Sequence, residues 1–369
     1  MARIYYSMAG EGRGHAVRAR ALSERLLAEG HELVLFAPGD AWKLLGAARL
    51  EGEVRVEPLP GLRFEYDARS RVNHLATAKS AAGYALRLPR LVEDLAARLS
   101  AEQAELCITD FEPALARAAR VAGLPLVSVD HQQFLSTADL SILPLGLRAK
   151  AQWMRPLVRL VRGRPQRTIV SSFFAPMLRS WRDDALQVGV FLRTRLRDAP
   201  PTRGGHLLAY LRRGGATRLL EALRRTGRPT LVYGLGERAP EGALRFRPFS
   251  EQGFVDDLAG SDAVVSTAGN QLVGEALWLE KPVLALPEPR NHEQELNAWF
   301  LERSGAGRAL TPAALETGSL PSLLERLEPM RAACRRMRAD GCEQTLRALR
   351  PLLGQVESEP AAPLVLESA

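Results

Sequence analysis

The stretch whose reading decides the fold runs from Ser261 to Ala298: SDAVVSTAGNQLVGEALWLEKPVLALPEPRNHEQELNA. An apolar run ends at Ser266, the small residues Thr267, Ala268 and Gly269 make a turn, and a helical pattern starts near Asn270. A second apolar run, Pro282 to Leu286, leads into a proline-rich loop from Pro287 to His292, and another helix opens at Glu293 and Gln294. Strand, turn, helix, strand is the repeating unit of a parallel sheet covered by helices on both faces. The turn lies at the carboxyl end of a strand and the amino end of a helix, where N–H groups and the helix dipole suit an anion such as a diphosphate. Glu275, next to the small Gly274, comes one to two turns later and could accept two hydrogen bonds from a ribose 2′,3′-diol. Glu293 and Gln294 could bind sugar hydroxyls. Any one of these residues could equally be a surface acid on a capped helix.

The same alternation extends outward in both directions. Strand-like runs are expected at Arg3 to Ser7, Glu32 to Ala37, Arg55 to Leu59, Leu106 to Asp110, Pro125 to Asp130 and Thr168 to Ser171, with helices at Ala16 to Ala28, Ala81 to Leu99 and Pro113 to Ala122. After LRDAPPTRGG, Leu196 to Gly205, it restarts with strands at His206 to Tyr210, Thr230 to Tyr233, Arg245 to Arg247 and Ala263 to Ser266. The expected organisation is an α/β protein of two doubly wound Rossmann-like domains facing a cleft. Residues 1–195 form the first, 196–205 a linker, and 206–353 the second, whose last helices (the block Pro321 to Leu353) are able to return to the first. Residues 354–369 carry prolines and acids without a period and read as a disordered tail.

The amino-terminal stretch MARIYYSMAGEGRGHAVRARALSERL places Gly10, Gly12, Gly14 and His15 in a strand-to-helix turn. The dinucleotide fingerprint G-x-G-x-x-G fails there, because its third glycine would fall on His15, and no Gly-Lys-Ser/Thr follows to make a P-loop. What remains is a glycine-rich turn presenting an imidazole, either as a base or as a solvent-facing side chain.

With 369 residues, 46% of them hydrophobic and 25% charged, the chain can bury its own cores. Cys107, Cys334 and Cys342 have neither an even count nor a metal-ligand spacing, which suits a reducing compartment. No run approaches the ~20 apolar residues of a membrane span, so the expected location is cytoplasmic, with peripheral attachment to the inner face of the cell membrane open. The net charge of +8 calls for an acidic partner. Nucleic acid is disfavoured, since the basic residues are not interleaved with aromatics.

The order of GEGRGHAVR at the start, ITDFEP (Ile108 to Pro113), VDHQQ (Val129 to Gln133) and the segment Phe249 to Ala298 resembles a family. It is similar to inverting glycosyltransferases of the two-Rossmann-domain (GT-B) type, family 28-like. That branch contains the N-acetylglucosaminyltransferase of lipid-linked peptidoglycan precursor and the UDP-dependent glucosyltransferases. The resemblance implies a nucleotide-sugar co-substrate, with UDP preferred, no other cofactor, and a hydroxyl acceptor that is lipid-linked or a glycolipid. By the same likeness Thr267, Ala268, Gly269 and Asn270 would hold the donor diphosphate and Glu275 the ribose. Glu293 and Gln294 would hold the sugar, the backbone near Phe254 and Val255 the base, and Gly12 and Gly14 would line the donor. Thr267 replaces a phosphate-binding histidine common in the small-molecule enzymes and Leu272 a serine, which makes Arg212 and Arg213 candidate phosphate partners. His15 is the expected base, oriented by Asp110 at the end of a strand; His131 is the rival. No D-x-D occurs, so no metal is expected. A sugar-nucleotide 2-epimerase of the same fold and a non-catalytic nucleotide-sugar binder are the alternatives.

Leu147 to Arg167, LRAKAQWMRPLVRLVRGRPQR, has seven basic residues and no acid, with Leu147, Met154, Leu157, Leu160 and Val161 on one side. It reads either as a site for an anionic membrane surface or as a solvated helix covering the sheet, interrupted at Pro156 and Pro165.

Overall fold

A computed structural model describes residues 1–10, 13–48, 50–62, 74–211 and 216–354. Gly12, Arg212, Arg213 and the tail beyond residue 354 lie outside the described residues. The chain forms two compact units: Met1–Arg193 together with the segment from Asp340, and Thr194–Ala339.

Unit one is built on a seven-stranded sheet of β1 (Arg3–Met8), β2 (Glu32–Ala37), β3 (Val54–Pro58), β4 (Leu106–Asp110), β5 (Leu126–Asp130), β6 (Arg167–Ser171) and β7 (Ala185–Val188). They run in the order β3-β2-β1-β4-β5-β6-β7, every pair parallel. Residues alternate between faces along a strand, and here both faces are buried. Ile4, Tyr6 and Met8 pack with Leu22, Leu26 and Ile108, and Tyr5 packs on the other side with Phe36, Leu95 and Leu115. The helix Cys342–Leu349 closes the first of these cores through Cys342, Leu346 and Leu349.

Unit two repeats the plan with β8 (His206–Tyr210), β9 (Thr230–Tyr233), β10 (Leu244–Phe246), β11 (Ser261–Ser266), β12 (Val283–Ala285) and β13 (Gly307–Ala309), in the order β10-β9-β8-β11-β12-β13. All its pairs are parallel as well. Its core joins Leu207, Ala209, Val265 and Leu284 to Leu219 and Leu223 of the helix Ala216–Thr226. In both sheets the strand order reverses between the first strand and the fourth, which is where open α/β sheets bind ligands.

The expected strands are all present, with two additions. β7 is a half-buried edge strand and β13 only three residues long, so neither shows an alternation that sequence alone could read. The first helix starts at Arg13, which puts Gly14 and His15 inside its first turn and not in the preceding loop. The block from Pro321 is broken into the helices Leu320–Leu324, Leu327–Arg336 and Cys342–Leu349 and the 3-10 turn Arg350–Leu353. The boundary between units falls before Thr194, and the segment expected as a linker belongs to unit two. There the helix Thr194–Asp198 forms, and Thr202 and Gly204 donate to the carbonyls of Ala259 and Gly260.

The basic stretch corrects two expectations. The helix Leu145–Arg162 runs through Pro156, an exposed position at which the carbonyl left without a donor can bond water. Its buried face is Ala151, Val158 and Val161, whereas Leu157 and Leu160 are exposed together with Leu145 and Trp153. Among the described residues no helix is long and apolar enough to cross a membrane.

Candidate active site

In unit one, β1 and β4 are neighbours, with Met8 opposite Asp110. The chain leaving β1 enters the helix Arg13–Ala28, whose first turns bring His15 and Arg18 over the end of β4. His15 Nδ1 lies 2.7 Å from Asp110 Oδ1. Arg18 grips the same carboxylate with two donors: Nε to Oδ2 at 2.8 Å and Nη2 to Oδ1 at 2.8 Å. Asp110 is fully buried, Arg18 nearly so, and the His15 side chain keeps 11% of its surface exposed. The cluster therefore meets solvent through the imidazole.

Burial is the largest influence on Asp110 and would raise its pKa, but the charges and hydrogen bonds of Arg18 and His15 outweigh it and hold the carboxyl below the usual range. Asp130, at the end of the adjacent β5, is pushed up to about 6, first by burial and then by the charge of Asp110. It accepts hydrogen bonds from Ser128 Oγ and the Gln133 N–H, 2.9 and 2.8 Å away. An ionised Asp110 that accepts from His15 Nδ1–H leaves Nε2 as the proton acceptor. His131 is placed differently. It is buried, 5.0 Å between ring centroids from Phe134 and 5.6 Å from Phe174, in an aromatic cluster.

After β4 the chain reverses at Phe111, held at φ 57°, and Glu112 then caps the helix Pro113–Val121 by accepting from the Ala114 and Leu115 N–H groups. Gly10, in the turn after β1, is required for packing. A Cβ there would lie 2.5 Å from Pro38 Cγ, so its bareness makes room for the neighbouring loop.

In unit two, β11 is followed by Thr267, Ala268 at φ 63°, and Gly269, the N-cap of the helix Asn270–Trp278, with no side-chain cap hydrogen bond. Asn297, from the helix His292–Arg303, donates to the Ala268 carbonyl at 3.0 Å and fixes the turn. Glu275 is buried and accepts from Gln271 Nε2 at 3.1 Å. Gln294 is engaged with the loop before its helix: Oε1 accepts from the Glu288 N–H at 2.7 Å, and Nε2 donates to Glu288 Oε2 at 3.3 Å. Glu293 is half-buried beside it. Phe254 and Val255 are buried within the helix Glu251–Gly260, and Phe254 N–H donates to the Ser250 carbonyl. That N–H serves the helix.

Residues 2–328 match the profile of glycosyl transferase family 1. The chain belongs to this family. An uncharacterized glycosyltransferase of Methanosarcina acetivorans is 26% identical over 343 residues, 84% of each chain. A shorter segment of 82 residues, 22% of each chain, is 39% identical to the UDP-N-acetylglucosamine–N-acetylmuramyl-(pentapeptide) pyrophosphoryl-undecaprenol N-acetylglucosamine transferase of Caldicellulosiruptor saccharolyticus. Among solved structures, UGT2 of Phytolacca americana, complexed with UDP-2fluoro-glucose and pterostilbene, superimposes with a TM-score of 0.66. It is 14% identical, and the match covers 96% of this chain and 100% of that one. The protein is thus a glycosyltransferase with the GT-B fold of two Rossmann-like domains.

Two residues of this glycosyltransferase escaped the reading of its sequence. Arg18 lies one helical turn beyond His15, a spacing that puts both on one face. Asn297 closes the long quoted stretch but gives no local sign that it reaches back to residue 268.

Proposed function

We propose that the protein transfers a sugar, with inversion and without a metal, from a UDP-sugar to an acceptor hydroxyl. The observation carrying this reading is the His15–Asp110 pair, a buried carboxylate that orients an imidazole whose remaining edge meets solvent. Nε2 of His15 takes the acceptor proton while the acceptor oxygen bonds to the anomeric carbon and the bond to the diphosphate oxygen breaks. The departing diphosphate is received at the helix start at Gly269 and Asn270 beside Thr267 and Ala268, with Arg212 as a candidate counter-charge. Glu275 would exchange Gln271 for the ribose hydroxyls, and Glu293 and Gln294 would hold the sugar. UDP is preferred because the Caldicellulosiruptor enzyme is named for a UDP-sugar and the Phytolacca structure contains one.

The acceptor is lipid-linked in this proposal, and the protein works at an anionic membrane surface. Trp153, Leu157 and Leu160 are exposed on a helix that also carries Arg148, Lys150, Arg155, Arg159 and Arg162. Each basic residue near anionic headgroups contributes ~1 kcal/mol. Replacing Arg155, Arg159 and Arg162 by Ala should release the protein from anionic vesicles, and unchanged co-sedimentation would refute membrane docking.

The chemistry is tested by a metal-free thermal-shift screen of nucleoside diphosphates and their sugars, followed by proton NMR of the transfer product. Stabilisation by UDP and one UDP-α-sugar, with a β-linked product, is expected. An α-linked product would exclude inversion, and no stabilisation by any nucleotide sugar would remove the roles given to Glu275 and Gln294.

A further inference from the structure

The geometry points to Arg18 as the positioning residue that decides which nitrogen of His15 is left to take a proton. This inference rests on the proposed role of His15 and adds a residue to it. Asp110 Oδ1 receives two contacts, from Arg18 Nη2 at 2.8 Å and from His15 Nδ1 at 2.7 Å, while Oδ2 takes Arg18 Nε at 2.8 Å. The two-pronged grip fixes the plane of the carboxylate and keeps Oδ1 in front of the imidazole. A carboxylate held by His15 alone would be able to turn about its own bond. Arg18 Nη2 also lies 3.1 Å from His15 Nδ1, but its proton is directed to Oδ1 when Nδ1 carries a proton of its own.

The grip also governs the charge of Asp110. The titratable groups facing that carboxyl are Arg18 and His15 from the first helix, Tyr6 from β1 and Asp130 from β5. Arg18 is the permanent cation among them. Without it, burial and the neighbouring Asp130 favour the protonated acid. A protonated Asp110 donates to Nδ1 instead of accepting from it. The imidazole proton then resides on Nε2, and the nitrogen needed as base is blocked. Arg18 touches neither substrate in this scheme and acts through Asp110 alone.

The test uses the full-length protein with 15N-labelled histidine, the His15 signals being identified by their loss in His15→Ala. Wild type should show the Nδ1–H tautomer at neutral pH. Arg18→Met should move His15 to the Nε2–H tautomer, lower kcat roughly 10–100-fold with KM for the donor unchanged, and shift the acidic limb of the kcat profile upward by about one pH unit. An Nδ1–H tautomer and an unmoved acidic limb in a folded Arg18→Met protein would overturn the inference. Should that variant fail to fold, Arg18→Lys decides. It keeps a cation but not the two-pronged grip, so it should retain the Nδ1–H tautomer and the acidic limb with kcat lowered about tenfold. Wild-type kcat in Arg18→Lys would show that the grip is dispensable and overturn the inference. The tautomer readout needs no turnover, so an active His15→Ala would cost His15 its role as base while leaving the role of Arg18 to be settled by the spectra.

Discussion

The two sheets share one strand order, yet the helices that follow their reversal points are capped in opposite ways. In unit one the helix after β4 has its amino end filled by the protein itself, since Glu112 accepts from two of its N–H groups. In unit two the helix after β11 begins at Gly269, which offers no side-chain cap. Each chain reversal passes through a residue in the left-handed region, Phe111 at φ 57° and Ala268 at φ 63°. The same strand-to-helix turn thus carries a capping carboxylate in one unit and a glycine N-cap in the other. A helix start already occupied by a side-chain carboxyl has no use for an anion, whereas a glycine N-cap adds no carboxyl that would repel a phosphate. The difference fits the proposed division of roles, with the base in unit one and the donor diphosphate in unit two.

The widest separation between these roles should appear in His15→Ala. Loss of a general base costs about 10²–10⁴ in rate. Donor binding, attributed to unit two, should be untouched, so the thermal shift with a UDP-sugar should equal that of wild type while turnover collapses. Equal losses of binding and turnover would mean that the two units do not divide the work in this way.

How much of this division was legible in the sequence depends on distance along the chain. The turn Thr267–Gly269 and its helix could be read because strand, turn and helix are contiguous. The pairing of His15 with Asp110, 95 residues away, came only through family likeness, because a contact between a helix side chain and a distant strand end leaves no local pattern. Arg18 had a signal in its position one turn after His15, but nothing in the sequence gave it Asp110 as a partner. Asn297 is a similar case, its partner lying 29 residues earlier. The short strand β13 and the edge strand β7 were missed because they are defined by their neighbours and not by their own alternation. Gly10 shows in the sequence only as a turn residue, and the obstacle its bareness avoids, Pro38, is visible only in the fold.

A second prediction concerns pH and belongs to unit one alone. Burial and the charge of Asp110 push the Asp130 carboxyl up to about 6 in the folded protein, against about 3.9 in an unfolded chain. Between those values the folded protein holds a proton that the unfolded chain has released. Its contribution is therefore fully present below about pH 4 and is lost as pH rises to about 6, at most on the order of 3 kcal/mol. Asp130→Asn should abolish that decline, because an amide carries no charge to desolvate and can still accept from the Gln133 N–H. Urea unfolding at pH 4 and pH 7 measures it: the variant should gain on wild type at pH 7 and lose that advantage at pH 4. Asp110 opposes this trend, since its lowered pKa adds stability at neutral pH that is lost on acidification, so the comparison must be made variant against wild type.

The smallest expected effects come from exchanging the two caps. A Cβ at Gly269 meets no atom within 4 Å and the residue has φ −66°, so Gly269→Asp fits without strain and supplies unit two with the kind of carboxylate cap that unit one has. Aspartate is as good an N-cap as any residue and improves on glycine by a few tenths of a kcal/mol, so Tm should hold or rise slightly. The new charge would stand where the donor diphosphate is proposed to sit, and affinity for a UDP-sugar should fall by at least about tenfold. The reciprocal change, Glu112→Ala, removes the cap from the helix Pro113–Val121 together with the hydrogen bond from Tyr84 and should cost about 1–2 kcal/mol of stability with donor affinity unchanged. A Gly269→Asp protein that binds the donor normally would place the diphosphate elsewhere, and the contrast between a glutamate and a glycine N-cap would then reflect packing alone.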